Sequence, residues 1–155
     1  MEKDNSRPLE NARPEEGSIV ASIRVLLADD NAPLLSELRV QLGTLFEIVG
    51  AVGDGERAVD TTLRLDPDVL VLDVAMPVLN GFQAASRLRD SKSRTKIVIL
   101  TTFEDAEYVE AAFSSGASAF VTKQHLETDL VTAIRQVLQG NTFVSPSLRG
   151  AGPRL

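Results

Sequence analysis

The chain has 155 residues and contains no cysteine, no tryptophan, a single tyrosine and a single histidine. Without cysteine there is no disulfide, no thiolate metal site and no thiol nucleophile, which suits a reducing compartment. No run approaches the roughly 18 apolar residues of a membrane-spanning helix, and the first residues lack the apolar segment of a secretory signal. The expected location is therefore the cytoplasm, with no membrane partner. A formal net charge of -6 and the lack of any Lys/Arg cluster argue against a broad nucleic-acid footprint, which depends on cations gathered opposite phosphates. No direct DNA binding by this chain is expected. A hydrophobic content of 43% is enough for one core, so one domain is the prior.

Residues 1–22 mix charged and amide side chains with Pro8 and Pro14, show no apolar period, and read as a disordered tail. From Ile23 onward short apolar runs alternate with helical patterns, as in a mostly parallel sheet built from repeated β/α units, of which five fit. The first helix is predicted over Ala32 to Leu45, capped by Asn31, with Leu34, Leu35, Leu38, Leu42 and Leu45 on one face. A second strand, Glu47 to Val52, leads into a helix stopped by Asp66-Pro67. A third helix runs to Asp90 with Phe82, Ala85 and Leu88 inward. The fourth covers Asp105 to Ser115, closed by Gly116, and the last Glu127 to Gln139. The wide apolar stripe of that last helix, with Val131 and Leu138 beside it, leaves open a core role or a dimer contact.

The main clue is where the apolar runs stop. Ile23 to Ala28 ends in Asp29-Asp30, Val69 to Leu72 ends in Asp73, Ile97 to Leu100 ends in Thr101, and Ala119 to Thr122 ends in Lys123. In parallel strands all four endings share one edge of the sheet, the edge at which ligands bind in open α/β folds. Should the strands bearing Asp29-Asp30 and Asp73 be neighbours, three carboxylates come together. Each like-charged pair at about 4 Å costs roughly 4 kcal/mol at an effective dielectric near 20, so the cluster calls for a cation or protons. Mg²⁺ suits it, as a hard cation that takes carboxylate, carbonyl and water oxygens and keeps a phosphate as co-ligand. Lys123 and Thr101 then supply a compact charge and a hydroxyl for phosphoryl oxygens.

With these motifs, Leu27-Ala-Asp-Asp30, Val71-Leu-Asp-Val-Ala-Met-Pro77 with Asn80-Gly81, Leu100-Thr-Thr-Phe103 and Gly116 to Lys123, the chain resembles the receiver domain of two-component response regulators over Ile23 to Gly140. The segments Thr101 to Tyr108, Ala133 to Val137 and Val144-Ser-Pro146 resemble the NarL/LuxR-type branch, whose members usually carry a helix-turn-helix output domain. The resemblance implies a doubly wound, CheY-like (βα)5 fold with a five-stranded parallel sheet. It implies that Asp73 takes a phosphoryl group from the histidine of a sensor histidine kinase, in a phosphorelay rather than in metabolic catalysis. It implies Mg²⁺ held by Asp30 and Asp73, by Asp29 through a coordinated water, and by the backbone carbonyl of Ala75. Lys123 completes the charge balance. Thr101 bonds the new phosphate and, with the aromatic Phe120, switches the surface formed by the fourth and fifth units. Homodimer formation on phosphorylation is a further expectation.

Some positions depart from the family pattern. Gln124 follows Lys123 where many receivers have proline, often as a cis peptide. Thr102 and Phe103 are bulkier than the small residues of some relatives and predict a phosphorylated lifetime longer than that of fast chemotaxis-type receivers. Residues 141–155 are expected to form a short tail, too short for a helix-turn-helix, so two readings stand: a stand-alone receiver, or the receiver of a transcriptional regulator without its DNA-binding domain. A haloacid-dehalogenase-type phosphatase would need Asp-x-Asp after the first strand, whereas Asn31 stands two residues after Asp29. A dinucleotide-binding module would need a glycine-rich turn that Asp29 to Pro33 lacks.

Overall fold

Each apolar run pairs with its neighbours as a parallel strand in the computed structural model, which describes residues 22–148. The strands are β1 (Arg24–Ala28), β2 (Glu47–Val52), β3 (Val69–Leu72), β4 (Lys96–Thr101), β5 (Ala119–Thr122) and β6 (Phe143–Val144). The helices are α1 (Ala32–Leu42), α2 (Gly55–Leu65), α3 (Gly81–Asp90), α4 (Ala106–Ser114) and α5 (Leu126–Leu138), with 3₁₀ turns at Lys123–His125 and Pro146–Leu148. The sheet order is β2-β1-β3-β4-β5-β6. The order reverses between β1 and β3, and that is the topological switch point where open α/β sheets form their crevice.

Burial on both faces explains why β1, β3, β4 and β5 read as continuous apolar runs rather than alternating ones. Leu26, Leu70, Leu72, Ile97, Ile99 and Phe120 face α2, α3 and α4. Val25, Leu27, Val69, Val71, Val98, Leu100 and Val121 face α1 and α5 through Leu38, Leu42, Leu130, Ile134 and Val137. No helix among the described residues is long and apolar enough to cross a membrane.

Side-chain capping fixes where α1, α2 and α3 begin. Asn31 Oδ1 accepts the Leu34 N–H at 3.1 Å and Asp54 Oδ1 the Arg57 N–H at 2.8 Å. Asn80 and Gln83 form a reciprocal capping box at the start of α3. Gly116, at φ 107, takes the left-handed conformation that ends α4, as its position predicts.

Three details differ from the sequence expectation. Helix α1 stops at Leu42, and Leu45 is 52% exposed although it continues the leucine spacing. The chain turns instead to bury Phe46, whose N–H donates to the Leu42 carbonyl. Phe82, expected inward, is only half-buried on α3, where Ala84, Ala85 and Leu88 form the buried stripe. The sheet has six strands, not five: Phe143 and Val144 add to the free edge of β5, opposite Ala119 and Phe120. The segment after Gly140 therefore belongs to the fold as far as Leu148, because the exposed edge of a four-residue parallel strand is satisfied by the returning chain. The expected N-terminal tail, apart from residue 22, and residues 149–155 lie outside the described residues.

Candidate functional site

Asp29 and Asp73 follow directly on Ala28 and Leu72, which are register partners in β1 and β3. The pairing continues one step further through the Asp73 N–H, which donates to the Ala28 carbonyl at 2.9 Å. The two acids thus flank the switch point. One carboxylate oxygen each of Asp29, Asp30 and Asp73 lies within 4.8 Å of the others. Asp29 and Asp73 are buried while Asp30 is exposed at the rim.

Lys123 enters from the end of β5. Its Nζ is 2.8 Å from Asp29 Oδ2 and 3.6 Å from Asp73 Oδ1, so one ammonium bridges the two buried carboxylates. The other oxygen of Asp29 accepts the Asn31 N–H at 2.9 Å, which ties the acid pair to the cap of α1. Asp73 is 5% exposed. Its carboxyl is raised from 3.8 to about 6, first by loss of solvent and then by the charge of Asp29, with Asp30 adding to the rise. Lys123 and a hydrogen bond from the Val74 backbone pull the other way. One cation therefore does not neutralise the cluster, and three carboxylates with only one ammonium fit a hard divalent cation.

The loop after Asp73 is held close to the site by α3. Gly81 N–H donates to the Val74 carbonyl at 2.8 Å, and a Cβ at Gly81 would overlap the Asp73 carbonyl. Only glycine lets the helix approach the backbone of the nucleophile candidate this closely. Ala75 is exposed in this loop, two residues beyond Asp73, and Val78 is exposed with φ 73.

Thr101 ends β4 opposite Thr122, the residue before Lys123, so both lie on the acidic edge. It is fully buried, and its Oγ1 accepts the Phe103 N–H at 3.3 Å. Phe120 is fully buried in β5, between Ile99 on β4 and Val144 on β6. No peptide bond among the described residues is cis, and the Lys123–Gln124 step passes into the 3₁₀ turn that opens α5.

Two features at the site escape a reading of the motifs alone. Ser145, fully buried, donates its backbone N–H to the Phe120 carbonyl at 2.9 Å, and its Oγ accepts the Thr122 N–H at 3.1 Å. It braces the end of β5 just before Lys123. The sequence signal was present in Val144-Ser-Pro146, but as a marker of relationship rather than of position. The second is a stack of Phe103, Tyr108 and Phe82, drawn from the loop after β4 and from two helices.

Comparison with known proteins identifies the family. The response regulator receiver domain model matches residues 25–135. The oxygen regulatory protein NreC of Staphylococcus epidermidis is 36% identical over 129 residues, covering 81% of this chain and 59% of its own length. The transcriptional regulatory protein YvfU of Bacillus subtilis is 35% identical over 128 residues, covering 81% and 64%. The chain thus spans about three fifths of the length of these curated relatives. A crystal structure of a LuxR-family two-component response regulator from Aurantimonas superposes with a TM-score of 0.80 at 26% identity, covering 84% of this chain and 95% of that one. The fold, the acidic edge with its lysine, and these likenesses converge on one assignment: the chain belongs to the response regulator receiver family, close to its NarL/LuxR-type members.

Proposed function

We propose that this receiver is a phosphorelay acceptor in which Asp73 takes a phosphoryl group from a phosphohistidine of a sensor histidine kinase. The observation that carries the reading is the Lys123 ammonium set between Asp29 at 2.8 Å and Asp73 at 3.6 Å, within a triad of carboxylates at the switch point. A carboxylate oxygen of Asp73 attacks phosphorus, the P–N bond breaks, and the imidazole leaves and takes a proton. Because such transfer depends on positioning and charge neutralisation, the fixed residues suffice for the protein's share. Lys123 neutralises the incoming phosphoryl oxygens, and Thr101 donates its hydroxyl proton to one of them.

The donor set of Asp30, Asp73, the Ala75 carbonyl and, through water, Asp29 fits Mg²⁺. When bound, the ion would supply the remaining charge neutralisation and a template for the phosphoryl oxygens. In this reading the chain catalyses only its own phosphorylation and dephosphorylation. Thr101 and Phe120 couple the phosphate to the surface of α4, β5 and α5. That surface, together with the exposed Leu138 of α5, is where a second copy pairs on phosphorylation. A kinase partner fed by ATP places the activity in the cytoplasm. The phosphatase alternative lacks its general acid/base, because Asn31, two residues after Asp29, is a carboxamide that cannot exchange a proton as a carboxyl does and here serves as the cap of α1. The name of YvfU, a transcriptional regulatory protein, favours a receiver that governs transcriptional output over a free-standing relay.

The test is incubation with Mg²⁺ and acetyl phosphate followed by intact mass. Wild type is expected to gain one phosphoryl group and Asp73→Asn none. No gain in wild type, or an equal gain in both, would overturn the reading.

A further inference from the structure

The hydroxyl of Thr101 has one proton, and what it does with that proton depends on what it accepts. Its Oγ1 accepts the Phe103 N–H at 3.3 Å, so a lone pair is engaged and the proton is left for a phosphoryl oxygen. The bond is local, spanning two residues at the end of β4, and lasts only while the loop leading to α4 keeps Phe103 in place. Nothing in the backbone of that loop secures Phe103 directly: the first helical bonds return to Asp105, with Tyr108 and Val109 donating to its carbonyl. The ring does the holding. Phe103 stacks on Tyr108 of α4 with centroids 4.5 Å apart and planes 10° from parallel, and Tyr108 in turn faces Phe82 of α3 at 6.2 Å. Both Phe103 and Tyr108 are half-buried, and the single tyrosine of the chain sits at the centre of the ladder.

We propose that Tyr108 is a positioning residue for phosphoryl transfer: its ring clamps Phe103 so that the Phe103 N–H orients the Thr101 hydroxyl as a donor toward the phosphoryl group. The inference rests on the reading of Asp73 as acceptor and of Thr101 as the phosphate-binding hydroxyl. The α3 end of the ladder gives it a second anchor, since α3 is also the helix whose Gly81 lies against the Asp73 carbonyl. One helix thus supports both the nucleophile candidate and, through Phe82 and Tyr108, the hydroxyl across the site. The phenol oxygen has no part in this, so the ring alone is required.

The experiment measures the rate of phosphoryl uptake from acetyl phosphate with Mg²⁺ by intact mass, in wild type, Tyr108→Phe, Tyr108→Leu, Thr101→Ala and the Thr101→Ala/Tyr108→Leu pair. In the uptake step the Asp73 oxygen bonds to phosphorus and acetate leaves with the electrons of the broken P–O bond. Tyr108→Leu is expected to slow uptake about fivefold, the worth of one oriented hydrogen bond. Tyr108→Phe is expected to match wild type, and Tyr108→Leu to have no further effect once Thr101 is alanine. Wild-type uptake by Tyr108→Leu, or equal slowing with and without the Thr101 hydroxyl, overturns the inference alone. No uptake by wild type overturns the reading of the site and the inference with it. Phe103→Leu removes the other half of the stack and is measured in parallel; it must give the same dependence on Thr101, and it decides the matter should Tyr108→Leu lose its far-ultraviolet circular dichroism.

Discussion

Asp73 combines deep burial with two neighbouring acids, and its carboxyl titrates near 6 rather than 3.8. Between those two values the folded protein holds a proton that the unfolded chain has released, so stability falls as pH rises through this window, and above about 6 the full cost of ionisation is present. Asp73→Asn removes that cost. In metal-free buffer at pH 7 the variant is expected to be more stable than wild type by about 1 to 3 kcal/mol, with the difference vanishing near pH 3.5. Urea denaturation at the two pH values measures it, and identical midpoints at pH 7 would contradict the assignment. Val78 is a second strained point: a β-branched residue at φ 73, exposed, five residues beyond Asp73. Val78→Gly is expected to raise stability by about 1 kcal/mol, the backbone relief exceeding the entropy lost by glycine. A loss of stability in the same denaturation experiment would show that Val78 makes contacts that outweigh its backbone.

At the scale of elements, β6 carries more than its two residues suggest. Ser145→Ala leaves the buried Thr122 N–H without its acceptor, so a destabilisation of about 1 to 3 kcal/mol is expected. Amide exchange at Thr122 and Lys123 should accelerate along with it. Unchanged protection there would mean that the backbone pairing of β5 with β4 and β6 holds this strand end without the Ser145 hydroxyl. This element was not legible in the sequence because two residues have no period to read, and the order of a sixth strand depends on an edge left free by β5. β1, β3, β4 and β5 were legible for the opposite reason: they are nearly continuous buried apolar runs, such as Val69–Leu72 and Ile97–Leu100, too short for a helix, while the partly buried edge strand β2 was marked by the glycines that follow it. The acidic edge was legible too, since strand ends can be counted, and Asp29, Asp73, Thr101 and Lys123 all fall where the apolar residues stop. The end of α1 was not, because Leu45 extends the 3.6-residue spacing while the demand to bury Phe46 lies outside the helix. The Phe82, Phe103 and Tyr108 ladder joins three separate elements, a relation no local pattern encodes.

Across the whole molecule, the carboxylates of Asp29, Asp30 and Asp73 at the switch point could hold a metal ion, and in the proposed function its binding is tied to folding. Mg²⁺ at a hundredfold above its dissociation constant is expected to stabilise wild type by about 2.7 kcal/mol, and Asp30→Asn to lose most of that gain. Thermal melts in MgCl₂ and in NaCl of equal ionic strength separate specific binding from screening of the net negative charge. An equal shift in both salts would argue against the site. The architecture is a parallel sheet covered by helices on both faces, with the charged groups Asp29, Asp30, Asp73 and Lys123 gathered at one edge. In the proposed function the phosphoryl group resides on Asp73. Borohydride reduction of the phosphorylated protein, followed by peptide mapping, converts an acyl phosphate at that residue to homoserine and reads its position directly. Homoserine at position 73 alone is the predicted result; homoserine at position 29 or 30, or an unreduced chain that nonetheless carried phosphate, would contradict it.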